Sequence, residues 1–345
     1  MLSDLTKPQS RIPSLDGMRA LSIAAVLVGH TVGTSGFPFQ LEAMSHLGNI
    51  GVRCFFVISG YLITTLLMQE FESTGRVSLT TFYARRSLRI MPASLVFIFS
   101  MFLAQQLHWI ELQSGDLFHA ITYTMNYHDG RAWYLNHLWS LSVEEQFYLL
   151  WPGLLLLLGL RRGFYLACIV VALAPIVRYL MLSYFGSSDT ALTREFQAVA
   201  DSLAIGCLLA GYRQTLDCAP LYARLLHSPL FPILPCVGLA LSVAFGTRSY
   251  YFWGESLANL SLALAIDWAI RRPETHIGRI LNSAPFVVLG TLSYSLYLWQ
   301  EPFLNPQTHA WATTFPTNVA LVVVTATASY LFVERPFLRL RPTPR

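Results

Sequence analysis

Apolar residues gather in windows near positions 15–33, 50–69, 89–107, 142–160, 163–183, 198–212, 230–246, 255–270, 284–303 and 317–334. Most of them approach the roughly 20 residues that a helix needs to cross a hydrocarbon core, and the polar stretches between them are short. The pattern predicts an all-α fold, a polytopic membrane helical bundle of about ten transmembrane helices. Leu117–Tyr127 is also apolar, but it is too short to cross and is interrupted by His119 and Asn126. It is read as a re-entrant or interfacial segment.

Composition agrees with this pattern. Of 345 residues, 54% are hydrophobic and 12% charged, and the mean hydropathy is +0.48, far from an ordinary soluble domain. The organisation expected is a cytoplasmic N-terminal segment (1–14), one membrane domain (15–336) and a cytoplasmic tail (337–345). The first window keeps Asp16 and Arg19 and lacks a small-residue cleavage pattern, which favours a retained span over a signal peptide. Cys54, Cys168, Cys207, Cys218 and Cys236 have neither paired nor metal-like spacing and read as small hydrophobes, so no metal is expected.

Charge sets the orientation. With the N-terminus inside, Lys7, Arg11, Arg76, Arg85, Arg86, Arg89, Arg161, Arg162, Arg213, Arg224, Arg271, Arg272, Arg279, Arg335, Arg339, Arg341 and Arg345 collect at the cytoplasmic ends, and only Arg131, Arg194 and Arg248 fall in outer loops. The positive-inside rule then predicts both termini inside. These arginines also account for the pI near 8.8, so nucleic acid is not an expected partner.

Ionisable groups inside spans are costly and need a partner, a wet cavity or a job. Arg19 and His30, eleven residues apart in the first window, lie on one helix face about 16 Å apart along the axis. Arg53, Glu144, Glu145, Arg178, Asp201, Gln300 and Glu301 are placed by the same topology in the outer half, where His30 points. Arg86 and Arg89, one turn apart beside Arg85, could clamp phosphate at the inner mouth. Such a mouth suits a polyanionic cosubstrate with a long arm, as in coenzyme A, reaching toward a histidine that activates a hydroxyl. In this scheme Glu144 or Glu145 orients the His30 ring, and Arg53 stabilises developing negative charge.

Plainer roles compete. Trp133, Trp139, Trp151 and Trp299 read as interfacial belt anchors, with Trp139 the candidate exception because it precedes the acidic pair. Ser59, Ser140, Ser142 and Ser293 lack a nucleophile elbow. A transporter or flippase would place the same charges along a substrate path, but no internal repeat or matched pair of broken spans is visible.

Ordered motifs sharpen the reading: "SLDGMRALSIAAVLVGH" (14–30), "CFFVISGYLI" (54–63), "ARRSLRIMP" (84–92), "LWSLSVEEQFYLLWP" (138–152), "YSLYLWQEP" (294–302) and "VERP" (333–336). On these the chain resembles the acyltransferase 3 family of bacterial membrane acyltransferases over nearly its whole length. The resemblance implies transfer of an acetyl or other short acyl group from acyl-coenzyme A to a hydroxyl of a surface or secreted glycan, such as O-antigen lipopolysaccharide or exopolysaccharide, at the inner membrane. It implies Arg19 and His30 as the essential pair, Arg86 and Arg89 with Arg85 as donor-binding residues, and Glu145 or Glu144 as the central acid. Arg53, Asp201, Trp139, Tyr294 and Gln300 are expected in support, Gln300 standing where many relatives place histidine. Some relatives append a soluble esterase-like domain; ending at "LRLRPTPR", this chain is expected to work alone or with a separate periplasmic partner.

Overall fold

The computed structural model describes residues 12–342, and every regular element among them is a helix. Lys7, Arg11 and Arg345 of the charge argument lie outside the described residues, as does most of the segment 1–14.

Local chemistry sets the helix ends. Helix α1 (Pro13–Thr31) opens on a proline, whose missing N–H would be unpaired there in any case. Helix α2 (Leu47–Thr74) stops at Gly75, which is left-handed at φ 72° and returns its N–H to the Phe71 carbonyl at 2.8 Å. Helix α3 (Leu79–Gln106) starts beneath Ser78, whose hydroxyl accepts the Thr81 N–H at 3.3 Å. That cap lies well before the apolar window, so Arg85, Arg86 and Arg89 sit inside the helix rather than ahead of it.

Helix α4 (Leu138–Ser183) carries two windows and breaks at Gly159, with φ 76° and ψ 161°. A methyl at Gly163 would overlap the Leu155 side chain, so the two halves bend toward each other at the break. Helices α5 (Phe196–Asp217), α6 (Ile233–Ala244), α7 (Glu255–Arg271), α8 (Ala284–Trp299) and α9 (Thr317–Ser329) follow. A π-helical turn at Tyr330–Glu334 leads from α9 into the short α10 (Arg335–Arg339).

The stretches Leu47–Thr74, Leu79–Gln106, Trp133–Ser183 and Thr317–Arg339 are long and apolar enough to cross a membrane, whereas Ile233–Ala244 and Ala284–Trp299 are apolar but shorter. The Leu117–Tyr127 region forms a helix at Asp116–Ile121 and a 3-10 turn at Met125–Tyr127, each far too short to cross.

Helix α2 is the hub. Its apolar window is 72% buried, against 33% for α3 and 22% for Trp133–Ser183. Helix α1 packs between α2 and α8, α5 packs on α2 and α4, and α7 packs on α2 and α5 with α6 outside it. Gly60 and Gly206 let α2 and α5 touch backbone to backbone, since a methyl at either would overlap a carbonyl of the other helix, at Leu203 or Val57. The outer helices turn apolar stripes outward: Leu95, Phe99 and Leu103 of α3 repeat every fourth residue and are exposed, as suits a lipid-facing surface.

Candidate active site

Five helices each turn one face toward a single cavity. Helix α1 supplies Arg19; α2 supplies Val52, Phe55, Phe56 and Ser59; α3 supplies Arg86, Arg89 and Ile90. Helix α4 adds Ser140, Leu141, Glu144 and Tyr148, and α8 adds Ser293, Tyr294 and Tyr297. The steps of three and four within each helix put these side chains on one face.

One wall is cationic. The Arg86 guanidinium lies over the Tyr148 ring, 4.7 Å from its centre, and Arg19 reaches Asp16 at 3.7 Å. Among the described residues neither Arg86 nor Arg89 has a carboxylate within ion-pair distance. Glu144 stands in the same cavity and accepts the Ser59 hydroxyl, which also lies 3.0 Å from the Tyr148 hydroxyl. Glu145, the other candidate acid, does not line the cavity, and one of its oxygens is buried without a hydrogen bond. The geometry therefore puts Glu144 forward. Tyr294 lines the cavity and donates its hydroxyl to the Ile90 carbonyl at 2.8 Å.

A file of polar groups leads away from this wall. Ser140 lies one turn before Glu144 on α4, and its hydroxyl is 2.6 Å from that of Tyr297, which donates to the His137 carbonyl at 3.0 Å. His137 is buried; its Nε2 donates to the Leu298 carbonyl at 3.0 Å and its Nδ1 faces Glu301 at 3.0 Å. Next to Glu301, fully buried Gln300 accepts the Nδ1–H of His30 through Oε1 at 2.9 Å. With the proton on Nδ1, the Nε2 lone pair of His30 is left available. Trp133 packs edge-on against this ring, centroids 6.0 Å apart, and donates to the Glu301 carbonyl at 3.0 Å.

Several sequence expectations change here. His30 is held by Gln300, not by Glu144 or Glu145, which stand at the other end of the file. The outer-half charges do not form one cluster. Arg53 is buried against Glu255 of α7 at 2.6 Å. Asp201 is paired with Arg178 at 3.1 Å, and Arg178 also donates to the carbonyls of Tyr251 and Ala198 at 2.7 and 2.8 Å. This buried network ties α2, α4, α5 and α7 together.

Trp133, Trp139, Trp151 and Trp299 pack against the protein rather than standing out as belt anchors, whereas Trp109 and Trp311 are exposed. Trp139 packs edge-on against Phe56 with the Arg194 guanidinium 5.7 Å from its ring centre. Trp151 donates to Thr64 at 2.9 Å, and Trp299 packs on Phe97. Of the cysteines, Cys54 and Cys207 are buried, whereas Cys168, Cys218 and Cys236 are exposed.

His137 and Glu255 escaped the sequence reading. Glu255 carried a usable signal, an acid at the edge of an apolar window that must find a buried cation. His137 lies just outside the central motif and carried none. The three guanidinium groups of the cavity wall suit a phosphorylated cosubstrate. Among the described residues no three His, Cys, Asp or Glu side chains gather in a way that would hold a metal ion.

No solved structure matches the chain at a significant level. Among curated proteins it is 29% identical to the peptidoglycan O-acetyltransferase OatA of Listeria monocytogenes, over 94% of this chain and 55% of that protein. It is 30% identical to YrhL of Bacillus subtilis, provisionally named a peptidoglycan O-acetyltransferase, over 96% of this chain and 55% of that protein. A Staphylococcus aureus (strain COL) protein, provisionally named an O-acetyltransferase, is 29% identical over 96% and 58% respectively. The chain thus spans a little over half the length of these relatives. Residues 12–334 match the acyltransferase domain family, which is nearly all of the described chain, and the protein belongs to that family.

Proposed function

We propose that this chain is a membrane O-acyltransferase that moves a short acyl group, acetyl foremost, from acyl-coenzyme A to a hydroxyl of a cell-envelope glycan. The observation that carries the reading is the polar file from the arginine-lined cavity to His30, built in a member of an acyltransferase family. Its two ends have opposite chemistry, three arginines at one, of which Arg86 and Arg89 have no carboxylate within ion-pair distance among the described residues, and an imidazole held by an amide at the other.

In this scheme residues 15–336 form the membrane domain, about ten helices cross the plasma (inner) membrane, and both termini face the cytoplasm, as the arginine distribution favours. Arg19, Arg86 and Arg89 hold the phosphates of the donor at the inner face, and its extended arm carries the thioester outward. His30 Nε2 takes the proton of the acceptor hydroxyl as its oxygen attacks the thioester carbonyl. The carbon–sulfur bond then breaks, and the departing thiolate recovers a proton from the imidazolium. Gln300 holds the ring in its working tautomer, and Glu144 belongs to the donor side. The relatives named for peptidoglycan favour a cell-wall glycan as acceptor, alongside the O-antigen and exopolysaccharide class suggested by the sequence. A separate periplasmic partner could deliver it.

A charge-assisted hydrogen bond contributes about 1.5–3 kcal/mol, so Arg89→Ala is expected to raise the KM for acetyl-coenzyme A roughly ten- to hundredfold while leaving kcat within a few-fold. Steady-state transfer of label from acetyl-coenzyme A in isolated membranes measures both constants. A fall in kcat with unchanged KM would remove Arg89 from donor binding. Glycan translocation with no dependence on coenzyme A would replace the reading with a transporter.

A further inference from the structure

We propose that Arg341, carried by the segment that follows α10, is an additional anion-binding residue that joins Arg85 in taking a phosphate of a polyphosphorylated nucleotide donor beside Arg86 and Arg89. The inference rests on the donor reading above and extends it to a part of the chain outside the motifs that suggested it.

The geometry begins at α3. Helix α10 and the π turn before it both pack on α3, which places the segment after α10 at the arginine-bearing end of that helix. Arg85 Nε donates to the Pro342 carbonyl at 2.9 Å, so the segment is tied to the residue beside Arg86. Two nitrogens at this junction are buried without a hydrogen bond, Arg85 Nη2 and Arg341 Nε. Buried guanidinium nitrogens left unpaired are costly, and an anion between them removes that cost. Glu334 of the π turn accepts the Ser295 hydroxyl.

The charges do not balance among themselves. Burial first, and then the like charges of Arg89, Arg86 and Arg85, pull the Arg341 guanidinium down to about 10. It remains a cation at neutral pH, held against three others. Lipid-facing topology alone would let such arginines spread into the aqueous layer; here one is folded back onto the rest. Several guanidinium groups at one mouth match a ligand with more than one phosphate, and planar guanidinium forks suit phosphate oxygens better than ammonium groups do.

The test is binding to the detergent-solubilised full chain, with coenzyme A and the phosphate-free S-acetyl-pantetheine as probes. Arg341→Ala is expected to weaken coenzyme A binding about tenfold and to leave S-acetyl-pantetheine binding unchanged, with Arg341→Lys recovering part of the loss. Equal coenzyme A affinity in the wild type and Arg341→Ala would overturn the assignment. So would parallel loss of both probes, which would mark Arg341 as structural. Absence of coenzyme A binding in the wild type would overturn the donor reading itself.

Discussion

Gln300 holds the His30 ring through a neutral amide at 2.9 Å. A carboxylate in that place would favour the imidazolium, the form that cannot accept a proton; the amide fixes the tautomer without adding charge. Gln300→Leu should therefore lower kcat on the order of a hundredfold, the scale expected when a catalytic group loses its orientation. The donor KM should stay within a few-fold, and measuring both constants separates this loss from general damage. The motifs single out Arg19, His30, Arg86, Arg89 and Glu145 or Glu144, because each is a charge or imidazole in an apolar setting that demands a reason. They did not reveal which groups meet. His30 and Gln300 are 270 residues apart in sequence, and Arg53 finds Glu255 rather than a substrate. Partner choice between distant helices depends on packing angles that periodicity along one chain does not encode.

At the scale of elements, every apolar window falls on a helix, but the boundaries shift where polar chemistry takes over. Helix α3 reaches back to the Ser78 cap and carries its arginines inside the fold. The two windows of α4 join through Gly159 instead of separating at a polar loop. A buried network of Arg53, Arg178, Asp201 and Glu255 joins α2, α4, α5 and α7. Glu255→Ala would leave Arg53 buried and unpaired, a loss of about 3–5 kcal/mol, measurable as an earlier thermal transition in detergent. The double variant Arg53→Met, Glu255→Leu removes both charges of the closest pair and should recover much of that stability. If the double variant melts no later than Glu255→Ala, the loss in Glu255→Ala does not come from leaving Arg53 unpaired.

At the scale of the whole molecule, α2 is the buried axis, and the other helices divide into those that pack on it, α1, α4, α5 and α7, and those that pack further out. That division places the arginine-lined cavity and His30 at opposite ends of α1, and the reaction proposed here depends on it. The all-helical fold was legible because hydrophobic periodicity is a local signal. The packing of Trp133, Trp139, Trp151 and Trp299 against the protein was not, because an amphipathic ring can lie at an interface or inside a protein with the same sequence signature. Loading right-side-out membrane vesicles with radiolabelled acetyl-coenzyme A, and supplying cell-envelope glycan only outside, tests whether the acyl group crosses from an inner donor to an outer acceptor through His30. Wild-type vesicles should pass label to the external glycan, and His30→Ala should reduce that transfer by about 10²–10⁴-fold while donor binding persists. Undiminished transfer by the His30→Ala variant, or no label in the external glycan with wild type, would contradict the account.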